Sequence, residues 1–363
     1  MYKFFELLFK LIFISKFRFF LPKKNKVAIY DAHSVAFAKL IFKKFELIHT
    51  RLEEINISVF LISLFKHGIN NLSFNYRKIY LNYINPKIVF TSIDTNFGFY
   101  SLKERLKKYT FISVQNGMRL KKHYKEFQLN KKKIGKKIIT DYIFTFGEID
   151  KTQLKKIFNA KIEVIGNIFS NDIYVKRNKK KKTIVYIQQA SLPLKKNPKN
   201  FAEAHQKDIL DQETHLINFT YDYCKKKKYR FKIFIKRKNT KDLLKKITNL
   251  NDLNFKIFSL NKKIGYKILD NSKLVITPFS TLGFESIARG NKTVILPPKK
   301  ALSLNESWFR SVSKIHPKGK FNKYFLFGKL SQKQFNNHIK RIISMPTTTW
   351  KKTALKVSKN VLF

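Results

Sequence analysis

Residues 272–298 constrain the fold of this chain most strongly, because they predict a complete strand, helix and strand. Short apolar runs at 274–277 and 293–296 have the length of buried strands, and turn-forming residues bound the segment between them. Two parallel strands joined through one helix form a βαβ unit. In such a unit a ligand binds at the carboxyl end of the strand, against the N-terminus of the following helix. The pattern therefore predicts a ligand site at residues 277–283.

The side chains in this segment fit an anionic ligand. Ser280 or Thr281 can cap the predicted helix, and their hydroxyl and N–H groups lie where the helix dipole favours negative charge. Glu285 follows Thr281 by four residues, one more than a capping box requires, and its carboxylate could take the hydroxyls of a ribose. We assign these three residues and Gly283 to a donor or phosphate site. The alternative is an ordinary capped helix with an exposed Glu285.

The segment resembles the donor-binding region of GT-B glycosyltransferases. Its Pro-Phe-Ser-Thr-Leu-Gly-Phe-Glu run and its later Ala-Arg-Gly are similar to bacterial surface-carbohydrate proteins of capsule and lipopolysaccharide biosynthesis, relatives of the CDP-glycerol glycerophosphotransferases. The resemblance implies a GT-B-like α/β fold with two doubly wound Rossmann-like domains facing a cleft. It also implies that Ser280 and Thr281 hold the nucleotide diphosphate and that Glu285 lies near the ribose.

Strands and helices alternate along the whole chain, which favours doubly wound parallel sheets. The predicted strands cover 27–30, 57–62, 87–90, 109–114, 141–146 and 162–165 in the first half, and 183–187, 231–235, 255–258, 274–277 and 293–296 in the second. The predicted helices include 35–52, 205–225 and 331–344. We place a membrane-interfacial segment at 1–22, an acceptor-side domain at 23–174, a basic linker at 175–182, a donor domain at 183–330 and a helical tail at 331–363. In GT-B proteins such a tail can cross back to the first domain.

The chain is strongly basic, with 76 Lys and Arg against 23 Asp and Glu and a formal net charge of +53. Lysine is spread over nearly every segment and accompanies many Asn, Ile and Phe residues, which favours compositional drift in an AT-rich genome over a dedicated nucleic-acid surface. A nucleic-acid partner stays open, and the charge also favours phosphorylated substrates and anionic membranes. The single Cys224 allows no intramolecular disulfide, and no cleavable signal peptide is recognised, so we expect a cytoplasmic protein.

Residues 1–22 are very apolar, but five charged residues interrupt them. No apolar run reaches the roughly 18 residues of a spanning helix, so we predict an interfacial helix on the inner face of the cytoplasmic membrane. The alternative is a helix packed on the surface of the protein.

Polar residues that follow the first-domain strands are candidates for catalysis. Asp31 and His33 follow the strand at 27–30, and Asp94 follows the strand at 87–90. We favour Asp94 as the general base, because a third strand lies near the middle of a doubly wound sheet and because Gly98 and small polar residues leave room for an acceptor. His33 and Asp31 are the other candidates.

The loop after the strand at 109–114 is the predicted acceptor-side loop, with Gln115, Asn116, Gly117 and Arg119. It is similar to the His-Gly loop of the glycerophosphotransferases, whose His acts as general base. Asn116 occupies the His position, and an amide cannot serve as a base near neutral pH. The base therefore lies elsewhere or the chemistry differs. The alternative for this loop is a tight turn that requires Gly117.

Two further residues complete the predicted donor site. Gln188 follows the strand at 183–187, whose loop would face the cleft. Arg237 follows the strand at 231–235, where relatives often have Lys-x-His-Pro, and its guanidinium could clamp a phosphate. The sequence contains no HExxH, CxxC, P-loop or GxSxG motif and no Asp-x-Asp pair, so we expect neither a metal nor a tightly bound cofactor.

The combined prediction is a metal-independent GT-B transferase. It would move a sugar or a polyol phosphate from a nucleotide sugar or CDP-polyol to a polysaccharide or lipid-linked acceptor. One alternative is a nucleotide-sugar 2-epimerase of the same architecture. The other is a non-catalytic protein that binds RNA or anionic lipid, for which binding should fall steeply as salt rises.

Overall fold

The computed structural model of the chain describes residues 15–51, 53–119, 121–178, 181–189, 206–235, 255–257, 262–297 and 331–361. Within these ranges the chain has an α/β fold with two large parallel sheets, and it divides into two compact units. The N-terminal unit comprises Met1–Asn116, His123–Thr145 and Lys151–Val164, and the C-terminal unit comprises Gly117–Lys122, Phe146–Asp150 and Ile165–Phe363. The sequence predicted one passage between domains, at 175–182, and gave no sign of the two short segments that belong with the C-terminal unit.

The sheet of the N-terminal unit has six parallel strands in the order β3-β2-β5-β6-β7-β8. The strands of this unit are β1 Lys16–Arg18, β2 Val27–Tyr30, β3 Glu46–Ile48, β4 Glu54–Asn56, β5 Ile88–Thr91, β6 Thr110–Val114, β7 Ile138–Thr145 and β8 Phe158–Val164, of which β1 and β4 form a separate parallel pair. The order reverses between β2 and β5, so Asp31 and Asp94 follow the two strands at the switch point, where open α/β sheets bind ligands.

The described helices of the N-terminal unit are α1 Val35–Ile41, α2 Ile57–His67, α3 Leu72–Ile84, α4 Phe97–Arg105, α5 Lys121–Ile134 and α6 Glu148–Lys155. The last two begin in segments of the C-terminal unit. Asparagine side chains cap two of these helices. The Asn56 side chain accepts a hydrogen bond from the Val59 N–H, and the Asn96 side chain accepts one from the Gly98 N–H.

Two predictions in this unit are wrong. Residues 57–62 form the start of α2 and not a strand, because Asn56 caps the helix and because its buried positions, Val59 and Ser63, are four residues apart. The helix predicted at 35–52 ends at Ile41, and the strand β3 follows it. The run of β-branched and aromatic residues in α2 favoured a strand locally, but tertiary packing overrides that preference.

The sheet of the C-terminal unit has five parallel strands in the order β11-β10-β9-β12-β13. These strands are β9 Thr183–Ile187, β10 Arg230–Ile235, β11 Phe255–Ile257, β12 Leu274–Thr277 and β13 Thr293–Ile295, and the helices are α7 Ile168–Asp172, α8 Gln206–Lys226, α9 Lys262–Asp270, α10 Thr281–Ala288, α11 Gln332–Ser344 and α12 Thr347–Val361. The predicted strand, helix and strand at 272–298 are confirmed. The order reverses between β9 and β12, which places the loop before α10 at the switch point of this sheet.

The tail helices complete the core of the C-terminal unit. The predicted helix at 331–344 is confirmed as α11, which begins with a capping box at Ser331, and α12 lies in the remainder of the predicted helical tail, for which no separate helix bounds were predicted. Buried residues of both helices belong to the same apolar cluster as α10 and the sheet, among them Phe335, Ile342, Trp350 and Val357. These contacts lie within the C-terminal unit.

The segment that begins the described chain is a strand. Residues 16–18 form β1, which pairs with β4 in the register Phe17 to Ile55, so the interfacial helix predicted over 1–22 is wrong for these residues. Residues 1–14 lie outside the described ranges. Among the helices that the structure describes, none is long and apolar enough to cross a membrane.

Candidate functional site

The loop between β12 and α10 is fixed by hydroxyl groups. The Thr277 hydroxyl donates to the Ile187 carbonyl oxygen at 3.1 Å and accepts the Ser280 N–H at 3.3 Å, which joins β12 to the end of β9. The Ser280 hydroxyl accepts the Leu282 N–H at 3.3 Å and is therefore the N-cap of α10, as the sequence predicted. The helix N-terminus is thus held at the carboxyl ends of the two central strands.

Both predicted phosphate ligands keep a proton to donate. The Thr281 hydroxyl accepts the Met118 N–H at 3.4 Å, just as the Ser280 hydroxyl accepts the Leu282 N–H. A hydroxyl that accepts a hydrogen bond can still donate one. Ser280 and Thr281 therefore present two O–H donors at a helix N-terminus, where the dipole favours an anion.

Gly283 has a packing role in the structure. A Cβ at this position would lie 2.4 Å from Cγ2 of Thr277, so only glycine lets α10 approach β12 this closely. The Thr277 side chain cannot easily turn away, because its hydroxyl donates to the Ile187 carbonyl oxygen. The sequence assigned Gly283 to ligand binding, whereas the structure shows that it supports the position of the helix.

We expect Gly283→Ala to lower the free energy of unfolding by about 1–3 kcal/mol, as overpacking of a core does, even though alanine favours helix by roughly 1 kcal/mol. Urea unfolding measures this difference. Gly117→Ala is the matched control, because a Cβ at Gly117 would meet no atom within 4 Å and its stability should not change. Equal stability of the two variants would contradict the packing role.

Glu285 is buried, with 8% of its surface exposed, and its two oxygens accept different donors. Oε1 accepts from Nδ2 of Asn167 at 2.7 Å, and Oε2 accepts from the Tyr266 hydroxyl at 2.5 Å. The pKa of Tyr266 is raised, mainly by burial and secondly by the neighbouring Glu285 carboxylate. The hydroxyl therefore stays protonated and donates. The alternative of an exposed glutamate on a simple capped helix is therefore wrong.

A buried ion pair between Arg289 and Asp270 lies at the C-terminal end of α10 and supports this arrangement. Arg289 donates from Nε to Oδ1 of Asp270 at 3.0 Å and from Nη2 to Oδ2 at 2.5 Å. Its guanidinium also donates to the carbonyl oxygens of Ser170 and Ile173, and it lies 4.6 Å from the centre of the Tyr266 ring. The pair ties α7, α9 and α10 together and so holds the donors to Glu285 in place.

Gln188 lies at the end of β9 but contacts a residue that the sequence analysis missed. Its side chain is buried, and Nε2 donates to Oε2 of Glu213 at 3.3 Å. The other Glu213 oxygen accepts the Gln189 N–H at 2.6 Å and the Tyr186 hydroxyl at 3.2 Å. The pKa of Tyr186 is raised, mainly by burial and secondly by the Glu213 carboxylate. Glu213 therefore holds the end of β9 through three hydrogen bonds, and the donor-site role of Gln188 stays a prediction.

A sequence signal for Glu213 exists in α8. The buried residues of this helix include Leu210, Leu216 and Ile217, and Glu213 lies on the same face at a spacing of three or four residues. A carboxylate on an apolar helical face is rare without partners, so the pattern indicates a buried network.

The Asp31 carboxylate, at the switch point of the N-terminal sheet, accepts hydrogen bonds that hold the neighbouring loops in place. Its backbone has a φ of 86°, which is unusual for a residue with a side chain. Its carboxylate accepts the His33 N–H at 2.9 Å, the Thr50 hydroxyl at 2.9 Å and Nε of Arg51 at 3.1 Å. Asp31 contacts His33 through the His33 backbone N–H, and His33 is an exposed residue. These geometries do not form an acid–base pair.

Asp94 is buried, with 4% of its surface exposed, in the turn that precedes α4. Its carbonyl oxygen accepts the Tyr100 hydroxyl at 2.7 Å. The expectation that Gly98 leaves room beside it is wrong, because a Cβ at Gly98 would lie 2.8 Å from the Tyr30 hydroxyl and 2.9 Å from Nη1 of Arg77. Gly98 permits close packing there, and the role of Asp94 as a base stays a prediction.

Three buried hydroxyl side chains link the same two strand ends. The Ser34 hydroxyl accepts the Ser92 N–H at 2.8 Å and lies 3.3 Å from the Thr91 hydroxyl. The Thr91 hydroxyl accepts the Ile93 N–H at 3.0 Å. These bonds fix the backbone that leads to Asp94.

The predicted acceptor-side loop divides between the two units. Gln115 is buried and donates its N–H to the Phe144 carbonyl oxygen at 2.9 Å, and Asn116, which follows it, is exposed. Gly117 and the buried Arg119 belong with the C-terminal unit. The backbone of Gly117 is not left-handed, and a Cβ there would meet no atom within 4 Å, so the alternative of a tight turn that requires glycine is wrong.

Two remaining predictions concern Arg237 and metals. Arg237 lies outside the described residues. Over the part of the chain that the structure describes, no group of three or more His, Cys, Asp or Glu side chains could hold a metal ion.

The family model described as "putative O-antigen biosynthesis protein" matches residues 112–363, which is more than half of the chain. The chain belongs to this family. No curated protein sequence matches it. The resemblance to surface-carbohydrate biosynthesis is thereby confirmed at the level of the family.

Solved structures share the fold at low sequence identity. A "putative UDP-N-acetylglucosamine 2-epimerase" from Listeria monocytogenes is 12% identical with a TM-score of 0.54, covering 93% of this chain and 92% of that one. The UDP-GlcNAc 2-epimerase from Methanocaldococcus jannaschii is 13% identical with a TM-score of 0.52, covering 92% and 96%. The Neisseria meningitidis enzyme bound to UDP-GlcNAc is 11% identical with a TM-score of 0.50, covering 92% and 96%. The GT-B-like α/β fold is therefore confirmed.

Proposed function

We propose that this protein transfers a sugar from a nucleotide-activated donor to a polysaccharide or lipid-linked acceptor during O-antigen assembly. The observation that supports this best is the arrangement around α10. Two O–H donors lie at the helix N-terminus, and a buried carboxylate follows on the next turn. Membership of an O-antigen biosynthesis family supplies the context of a surface glycan.

The two ends of this arrangement suit the two parts of a nucleotide diphosphate. Ser280 and Thr281 would donate to the diphosphate, where the helix dipole also favours negative charge. Glu285 would accept from the ribose hydroxyls, since a carboxylate oxygen accepts more than one hydrogen bond. Asn167 and Tyr266 would hold this carboxylate in one orientation.

The chemistry of transfer needs a leaving group that is stabilised and an acceptor that is activated. Hydrogen bonds from Ser280 and Thr281 to the diphosphate would stabilise the charge that develops as the glycosidic bond to phosphate breaks. Arg237 stays a predicted second phosphate ligand. The buried Asp94 of the N-terminal unit would take the proton of the acceptor hydroxyl.

Thr281→Val tests the donor site, because valine keeps the shape of threonine and removes only the hydroxyl. Loss of a hydrogen bond to a charged phosphate costs roughly 1.5–3 kcal/mol, so we expect affinity for UDP or CDP to fall by about tenfold or more. Titration calorimetry measures this change.

Thr353→Val is the matched control, since Thr353 is a half-buried residue of α12 whose hydroxyl donates to the Thr349 carbonyl oxygen, remote in sequence from the proposed site. Its nucleotide affinity should equal that of the wild type. If Thr281→Val were folded and bound both nucleotides normally, the proposed phosphate site would be wrong. Ser280 is a poorer choice for this test, because its loss also removes the cap and costs about 1 kcal/mol of stability.

The fold neighbours favour a second candidate, a 2-epimerase of nucleotide sugars, because those with the highest TM-scores above are described in these terms. The two reactions can be distinguished at C2, since epimerisation must break the C2–H bond and transfer leaves it intact. Incubation with UDP-GlcNAc in D₂O therefore separates them.

For a transferase we expect no deuterium at C2 and release of nucleoside diphosphate that requires a lipid-linked glycan acceptor. CDP-glycerol belongs in the same donor panel, since the sequence also resembles glycerophosphotransferases. Deuterium at C2 of recovered UDP-GlcNAc, without any acceptor, would replace our proposal by the epimerase.

A further inference from the structure

Large exposed apolar side chains concentrate in the first part of the N-terminal unit. Phe20, Phe65 and Ile69 expose 84%, 85% and 79% of their surface, and Phe19 and Leu61 are also exposed. Single exposed apolar residues are ordinary, whereas contiguous groups of them mark interaction sites. We call these five residues the apolar platform.

Hydrogen bonds and helix geometry make the platform contiguous. The Ser58 hydroxyl, on the first turn of α2, donates to the Phe19 carbonyl oxygen, and Nδ2 of Asn56 donates to the Phe20 carbonyl oxygen at 2.6 Å. Leu61 lies three residues after Ser58 and Phe65 lies seven after it, which places them on one face of the helix. At about 1.5 Å per residue this face runs roughly 10 Å from Ser58 to Phe65.

The opposite face of α2 packs into the unit. Val59 and Ser63 are buried, so the helix is held in place while Leu61 and Phe65 point outward. Gly68 ends the helix, and the exposed Ile69 follows it directly. The platform is therefore part of a folded surface and not a loose tail.

Basic residues predominate around the platform, although Glu46 pairs with Arg18 and Glu54 lies opposite Lys16 in the pair of strands β1 and β4. Residues 15–26 and 57–71 contain Lys16, Arg18, Lys23, Lys24, Lys26 and Lys66 but no Asp or Glu. Arg18 pairs with Glu46, whereas the lysines at 16, 23, 24 and 66 belong to exposed residues. An apolar centre with a cationic rim is complementary to a bilayer that has an apolar interior and anionic headgroups.

We propose that the apolar platform docks the protein on an anionic membrane. The aromatic rings of Phe20 and Phe65 enter the boundary between headgroups and acyl chains, and the lysines contact the headgroups. This inference goes beyond the transfer reaction. It also moves the membrane contact from a separable segment at 1–22 to a surface that includes α2, since β1 pairs with β4.

The test uses the full chain and sedimentation with vesicles of phosphatidylcholine, with and without phosphatidylglycerol. We expect the Phe65→Ser/Ile69→Ser variant to lose about tenfold or more of its binding to the phosphatidylglycerol vesicles, because two large apolar side chains no longer enter the bilayer. Serine adds no charge, so the electrostatic attraction stays the same. Circular dichroism and thermal unfolding verify that the variant is folded.

Leu129→Ser/Ile134→Ser is the matched control. Both residues are exposed apolar side chains of α5, outside the platform, and their replacement should leave vesicle binding within about twofold of the wild type. Normal vesicle binding by the platform variant would overturn the proposal. An equal loss in both variants would also overturn it.

A second copy of the chain is the other occupant to consider. Light scattering after gel filtration distinguishes a second copy from a membrane. If the wild type were a dimer that dissociates in the platform variant, and vesicle binding were unchanged, the platform would be the contact between two copies of the chain. A monomeric wild type that loses vesicle binding only in the platform variant supports the membrane. Neither result depends on the transfer activity.

Discussion

Asp94→Asn should bind donor nucleotide as tightly as the wild type and transfer sugar at least about a hundredfold more slowly, as expected for loss of a general base. Asp94 follows β5 at the point where the strand order of the N-terminal sheet reverses, and it is buried. Ser34, Thr91 and Ser92 fix the backbone that leads to it. Asparagine has nearly the same shape, so the substitution removes the proton acceptor with little change in packing.

The measurement is a single-turnover assay with a lipid-linked acceptor, beside calorimetry with UDP. His33→Gln is the control, because His33 is another predicted base and is an exposed residue after the neighbouring strand β2. We expect near-normal transfer by that variant. A normal rate for Asp94→Asn and a slow rate for His33→Gln would transfer the role to His33.

Arg289→Met should lower the free energy of unfolding by about 3–5 kcal/mol, because it leaves the Asp270 carboxylate buried without its guanidinium. Asp270 is 1% exposed and receives three hydrogen bonds from Arg289. The substitution also removes the donors to the Ser170 and Ile173 carbonyl oxygens. We therefore expect this variant to bind nucleotide weakly as well, since Glu285 loses its support.

Urea unfolding of the variant should be compared with Arg230→Met, an exposed arginine of the same unit for which we expect a change within about 0.5 kcal/mol. Adding Asp270→Asn to Arg289→Met should recover part of the loss, because the charge that was left buried is gone. If the single and double variants were equally destabilised, the pair would not contribute through its charge.

Features that depend on residues close together in the sequence could be predicted from it. The strands and helix around Ser280 were predicted almost to the residue, because the apolar runs, the cap and Gly290 are all local signals. The fully buried β2 and β9 were predicted for the same reason. The helix α2 was predicted as a strand, because its composition is β-branched and only the cap at Asn56 indicates otherwise.

The partners of the site residues could not be predicted in this way. Glu285 accepts from Asn167, which is 118 residues away, and from Tyr266, which belongs to a different helix. No local spacing connects these positions. Gly98 and Gly283 were likewise given roles in binding, although their steric contacts are with side chains that only the folded chain brings near them.

The tail helices α11 and α12 determine when the C-terminal unit can finish folding during synthesis. Trp350 and Val357 are buried in the same cluster as Ile276 of β12 and Phe284 of α10. The ribosome must therefore synthesise the chain at least as far as Val357 before this cluster can close. At about 5–20 residues per second, synthesis from Ile165 to Val357 takes roughly 10–40 s, during which the apolar face of α10 lacks its final cover.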